Sequence, residues 1–315
     1  MLQSVLGKVK SEKVKFCHSH EHLFIKKGQP SKVNPALRLD DYAATTKELS
    51  LFKKIGGTTI IDAQPLGAGR DEMNLVRAGR EKNIDIISST GFHKFSFYPK
   101  NHWLFYYSQK DLTNIFIHEL TEGMFLDAEN EEPDRFIGNK AGQVKVAIDE
   151  ERLLDSKKRW FYAAGDASLQ TNAPIMCHTE TKQQGLYIAN FFINLGVKPE
   201  NIIICHLDRN SNDVNIQKEI AKLGVYLEYD TIGRFKYHSD EEEVKLIKKI
   251  INLGFENQLL FGLDSTRERL LSYGGKIGLQ YIFKTFIPLL KKSGISDEII
   301  LKVMKENPRA AFSKF

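Results

Sequence analysis

Five short stretches of this chain place metal-capable or proton-carrying side chains in settings that call for a reason. His18-Ser19-His20-Glu21-His22 sets three imidazoles within five residues, Lys145 stands in the otherwise apolar run 143–148, and His178, His206 and Asp264 each close an apolar run. Neutral imidazole is the commonest ligand for zinc-type ions, and carboxylates complete such sites. On an extended strand a His-x-His pair presents both rings on one face, because side chains alternate with period two. Two pairs meet that condition, His18/His20 and His20/His22, and parity does not choose between them. Lysine as a cation is a poor ligand. A lysine carboxylated by CO₂ becomes an anionic carbamate whose two oxygens can bridge two metals; an ion-paired or catalytic amine is the other reading of Lys145. One buried histidine is more often a hydrogen-bonded core residue than a ligand, but so many at corresponding places argue for a site.

Those places are strand ends. Eight β-type runs recur at 14–20, 58–63, 85–90, 143–148, 173–178, 202–206, 225–230 and 259–264. Most are continuously apolar, as strands covered on both faces are. Between them lie helical periodicities. Val244, Ile247 and Ile251 follow a capping box at Ser239/Glu242, and Ile216, Ile220 and Leu223 follow Asn212-Asp213. Glycines at 56, 196, 224 and 254 mark helix ends. Strand–helix alternation of this length most simply closes as a (β/α)₈ TIM barrel, whose chemistry sits at the C-terminal ends of the strands. A doubly wound open sheet is the alternative, but no G-x-G-x-x-G follows the first strand. No Pro/Gly/Ser-rich linker interrupts the series, so residues 1–315 read as one domain. The longest connections are expected after the third and eighth strands, at 91–110 and 265–277.

Composition narrows the functional classes. The chain has 315 residues and 42% hydrophobic content, which places it among folded globular proteins and makes a metal unnecessary merely for folding. A net charge of +5 with both signs interleaved gives no nucleic-acid stripe. No apolar run is long enough to span a membrane, and the first residues lack the apolar core of a signal peptide. Three cysteines, 17, 177 and 205, are too few for a disulfide framework, and a cytoplasmic setting is the expectation. Alternation turns Cys177 and Cys205 outward, toward the helices.

Taken together, these motifs resemble the phosphotriesterase-related branch of the amidohydrolase superfamily, binuclear-metal (β/α)₈ hydrolases, nearly end to end. The family's strand-1 HEH matches Ser19-His20-Glu21-His22. Its AG-x-x-K-V-A segment matches 141–147, its strand-5 and strand-6 histidines match His178 and His206, its strand-8 aspartate matches Asp264, and TGFH (90–93) resembles its strand-3 end. The resemblance implies that His20, His22 and Asp264 hold a buried metal, that His178 and His206 hold an exposed one, and that carboxylated Lys145 bridges the two. His18 would lie outside the site and Glu21 would serve structure. It further implies two divalent ions (zinc, with manganese or cobalt as alternatives), attack by a metal-bridging hydroxide, and Asp264 as the catalytic residue that orients it and shuttles its proton. Homodimers are common in that family.

Basic residues of the seventh and eighth loops, Arg234, Lys236 and Arg267 with Tyr273, point to an anionic small-molecule substrate, and His93 is a candidate pocket residue. Branches with such loops resemble lactonases that open phosphorylated sugar (aldono-1,4-) lactones. A lactonase or phosphotriesterase for an apolar substrate is the alternative, drawing on the aromatic stretch 92–107. A non-catalytic binding protein on the same scaffold is a reading of another class, which metal analysis would separate from an enzyme.

Overall fold

The computed structural model describes residues 1–209 and 214–314. A short antiparallel hairpin, β1 (Leu2–Ser4) and β2 (Gly7–Val9), precedes the main series. The series is β3 (Cys17–Glu21), β4 (Thr59–Asp62), β5 (Asp85–Ile87), β6 (Ser89–Gly91), β7 (Gln143–Ala147), β8 (Ile175–His178), β9 (Ile202–Ile204), β10 (Tyr226–Tyr229) and β11 (Leu259–Phe261). Every pairing within it is parallel, in the orders β3-β4-β5 and β6-β7-β8-β9-β10-β11. β5 and β6 are the two halves of the expected third strand, interrupted at Ser88.

The ring closes between β11 and β3. Leu263 and Asp264 donate their backbone N–H groups to the carbonyl of His20, at 3.3 and 3.0 Å, and Ser19 Oγ donates to Phe261 O at 2.7 Å. Gly262 permits this approach, since a Cβ there would stand 2.8 Å from the backbone of His20. Eight strand positions thus form a closed barrel. Helices between the strands cover its outside: α1 (Gln29–Val33), α2 (Tyr42–Lys54), α3 (Glu72–Lys82), α4 (Gln109–Thr121), α5 (Lys158–Thr171), α6 (Lys182–Asn194), α7 (Val214–Lys222) and α8 (Asp240–Asn252), followed by helical turns that end at Phe312. The Ser239/Glu242 capping box opens α8 as its spacing predicts. The Asn212-Asp213 start lies outside the described residues.

Two buried layers result. The larger lies between strands and helices; a smaller one fills the barrel with Ile61, Ile87, Met176, Ile203 and Leu260 and is plugged by Leu2, Val14 and Phe312. The hairpin and the C-terminal turn therefore seal one end, leaving the strand C-termini as the working end. Besides the expected 91–110 and 265–277, two further long connections run through 22–41 and 122–142, both missed because their short turns carry little periodicity. Among the described residues no helix is long and apolar enough to cross a membrane.

Candidate metal centre

The first strand resolves its own ambiguity by a register shift between His18 and Glu21. A bulge of this kind resets side-chain parity. His18 consequently turns outward, its ring 4.8 Å from that of Phe52 and its Nδ1 2.7 Å from Glu21 Oε1. His20 and His22 turn inward, with their Nε2 atoms 3.8 and 3.4 Å from Asp264 Oδ1. These three residues form one cluster of metal-capable atoms. Glu21 accepts the N–H groups of Leu263 and Ser265 at 3.0 and 3.3 Å, a structural role in closing the barrel.

The second pair meets across neighbouring strands. His178 Nδ1 and His206 Nε2 face each other at 2.7 Å. His206 has φ +63° and Asp264 φ +46°, left-handed conformations that non-glycine residues adopt only under constraint, and both occur where a strand hands its side chain to the site. The turn at His206 also overrides alternation. Cys205, expected outside, faces the barrel interior with its Sγ 3.7 Å from Lys145 Nζ. Cys177 lies outside as expected.

Three of the four site imidazoles have their outward nitrogen held by a carboxylate, while Nδ1 of His22 is buried with no partner among the described residues. Glu228 Oε2 accepts from His20 Nδ1 at 2.8 Å, Asp230 Oδ1 from His206 Nδ1 at 2.6 Å, and Glu180 Oε1 from His178 Nε2 at 3.0 Å. Asp230 Oδ2 also lies 3.1 Å from His20 Nδ1, tying the two groups together. Such partners fix the tautomer and leave the inward nitrogen with its lone pair free for a ligand. His178 Nδ1 and His206 Nε2 both face the site, where they lie at hydrogen-bonding distance from each other. A second proton on either ring is disfavoured. Burial pulls His178 down to about 3, against the pull of Glu180, and burial with Arg209 holds His206 well below the usual histidine range. At His20 burial and Lys145 also oppose protonation, but Cys205, Glu228 and Asp230 outweigh them and raise it. Burial alone would raise Asp264; Arg234 and His22 hold it well below the usual carboxylate range. The donor set therefore fits divalent metal.

Lys145 lies fully buried in β7, and among the described residues its ammonium has the Cys205 thiol and no carboxylate as partner. A charged amine left in that state is costly, which fits its conversion to a carbamate. Gly91, at φ +89°, brings β6 so close that a Cβ would stand 2.0 Å from Lys145 O.

The other candidates are distributed unevenly. His93 is buried between the rings of His22 and His178, at 6.4 and 5.2 Å. Arg234 reaches the cluster, its Nη1 2.9 Å from Asp264 Oδ2 and its Nη2 donating to the Asp264 carbonyl. Lys236 is exposed and sits 4.7 Å over the Tyr237 ring. Arg267 stands 5.2 Å over Tyr273 and bonds Arg38 O at 3.4 Å, while the Tyr273 hydroxyl is committed to Thr45 Oγ1 at 2.8 Å and to Asp41. Sequence reasoning passed over Glu180, Arg209, Glu228 and Asp230. Glu228 and Asp230 carried a signal, being acids within and at the end of an apolar strand. Glu180 and Arg209, two and three residues past site histidines, carried none.

A closed parallel barrel with imidazoles, carboxylates and one buried lysine at the strand C-termini defines a metal-dependent hydrolase of the TIM-barrel class. A sequence profile of the phosphotriesterase family matches residues 1–312, and the chain belongs to that family, one of binuclear metal enzymes. It is 32% identical to a phospho-furanose lactonase of Mycoplasmopsis synoviae over 98% of this chain and 90% of that one. Among solved structures it resembles an amidohydrolase from Mycoplasma synoviae (TM-score 0.92, 28% identity, 99% of this chain and 91% of that one). A lactonase from Listeria monocytogenes is similar as well (TM-score 0.90, 25% identity, 100% of this chain and 99% of that one).

Proposed function

We propose that this chain, acting as one domain over residues 1–315, is a lactonase that opens a phosphorylated sugar (aldono-1,4-) lactone. The convergence of His178 and His206 beside the His20/His22/Asp264 cluster is the observation that carries it, and the lactonase relatives support it. His20, His22 and Asp264 would hold one ion, His178 and His206 the other, and carboxylated Lys145 would join them; zinc is the ion we assign. When bound, such a pair supplies a nucleophile at neutral pH and a Lewis acid for the lactone carbonyl.

The chain's own residues do the rest. Glu228, Asp230 and Glu180 hold the rings of His20, His206 and His178 in their working tautomers. Asp264 takes the proton shed by the attacking water at its carboxylate and passes it to the ring oxygen as the C–O bond breaks, so that lactone and water become a hydroxy acid. His93 bounds the pocket between the two histidine pairs. Arg234, Lys236, Arg267 and Tyr273 are the substrate contacts proposed on the seventh and eighth loops, of which Arg234 is nearest the reaction. A cytoplasmic homodimer completes the reading.

The test compares metal-loaded enzyme on a phosphorylated aldono-1,4-lactone and its unphosphorylated counterpart. The phosphorylated lactone is expected to open faster, through a lower KM. Equal rates would remove the phosphate from the proposal, and inactivity on both would remove lactone opening.

A further inference from the structure

Three cations from three different strand-end loops converge on two carboxylates at the mouth of the site. Lys94 and Arg209 both pair with Glu180, Arg209 Nη1 at 2.7 Å from Glu180 Oε2. Arg209 Nη2 and Arg234 Nη1 approach the same oxygen, Asp264 Oδ2, at 3.9 and 2.9 Å. Both guanidinium side chains are only 12% exposed. Behind them Arg269 is 7% exposed; its Nη2 donates to Ile232 O at 2.6 Å. Its Nε and Nη1, like Nε of Arg209, have no partner among the described residues. Burial, and then Arg234, lower Arg269 to about 10, against the pull of Asp264, Glu21 and Asp230.

Charge balance gives these positions a meaning. Four cationic side chains stand here against Glu180, Asp264 and the buried Asp230, and Glu180 also serves His178 while Asp230 serves His206 and His20. A metal-holding Asp264 cannot also neutralise two guanidinium groups, so the mouth keeps a desolvated positive surplus. Guanidinium groups in that state are matched best by an oxyanion taken bidentately. Lys236 is more exposed and rests on Tyr237, whose ring Arg209 also approaches, at 5.5 Å. Water screens its charge more than it screens the arginine pair.

We propose that Arg209 and Arg234, on the loops after the sixth and seventh strands, form a guanidinium clamp for an oxyanion group of the substrate beside the metal ligands, and that Arg209 is a specificity-determining residue. Arg269 lies behind the clamp and supplies potential rather than contact. The assignment of the ligand as a sugar phosphate or an aldonate rests on the lactonase reading; the clamp's geometry does not.

The test measures kcat and KM of the metal-loaded wild type, Arg209→Ala, Arg234→Ala and Arg209→Lys on the phosphorylated and unphosphorylated lactones. Calorimetric binding of two non-reacting probes runs beside it: a furanose phosphate without a carboxylate, and an aldonate without a phosphate. Loss of a charged hydrogen bond predicts a fall of about 10- to 100-fold in the ratio of kcat/KM for phosphorylated over neutral lactone, carried by KM, with partial recovery in Arg209→Lys. Should wild type open neither lactone, the lactonase reading fails while the probes still decide the clamp. A comparable loss of affinity for either probe in both alanine variants supports it, and which probe is affected identifies the oxyanion. Unchanged affinity for both probes, or an equal loss on both lactones with no loss of affinity for either probe, overturns it.

Discussion

His102 shows how a single side chain sets a pH limit. Its Nε2 donates to Ala128 O at 2.9 Å, and its Nδ1 accepts the Leu104 N–H at 3.2 Å, so the neutral ring is the bonded form. Burial pulls it down to about 4, partly offset by the bond to Ala128. The folded value lies below the unfolded one. Its stabilisation is therefore complete above the usual histidine range and is lost as pH falls through that range toward 4. Between pH 7 and 5 this one group accounts for about 2 kcal/mol. Urea unfolding of wild type and His102→Gln at the two pH values checks this, and the variant is expected to show the shallower pH dependence. Residue identity alone did not reveal the role. His102 and the site histidines are the same chemical group, and only their partners separate a packed ring from a ligand.

At the scale of elements, the site depends on how closely strands approach. β6 can lie against β7 because residue 91 is glycine at φ +89°. Gly91→Ala would add both left-handed strain and a Cβ 2.0 Å from Lys145 O, pushing the lysine's strand away from its neighbours. We expect a loss of at least about 2 kcal/mol in folding stability, with less bound metal. Thermal unfolding and metal analysis of the purified variant measure both, and an unchanged metal content would show that Lys145 tolerates the shift. The strands and the α8 cap were legible because continuous apolar runs and Ser-x-x-Glu spacing act locally. The bulge in β3 and the turn at His206 were not. Each depends on backbone conformation imposed by neighbouring strands, and each reverses what alternation predicts, for His18 in one case and for Cys205 in the other.

For the whole molecule, the barrel gathers Glu228, Asp230 and Asp264 with four histidines at one end. Such a gathering is stabilised by whatever cation it binds, since binding only the folded state shifts the equilibrium toward it. Chelation is expected to lower the melting temperature and abolish lactone opening, and readdition of zinc to restore both. At a free metal concentration about 100 times Kd, each site contributes about 2.7 kcal/mol. A melting temperature indifferent to chelator would show that the centre is already satisfied without metal.

The sequence by itself determined the barrel's period, the order of its strands and the ligand-capable side chains at their ends, since apolar runs, caps and residue chemistry are properties of short segments. The family resemblance rested on the same segments. Only the tertiary structure decided how a bulge in β3 turns His18 away from the His20/His22 pair, that Cys205 lies under Lys145, that Glu228, Asp230 and Glu180 hold three of the rings, and that Arg209 joins Arg234 over Asp264. These are contacts between loops and strands far apart in the chain. Their distances and desolvation exist only once the ring has closed.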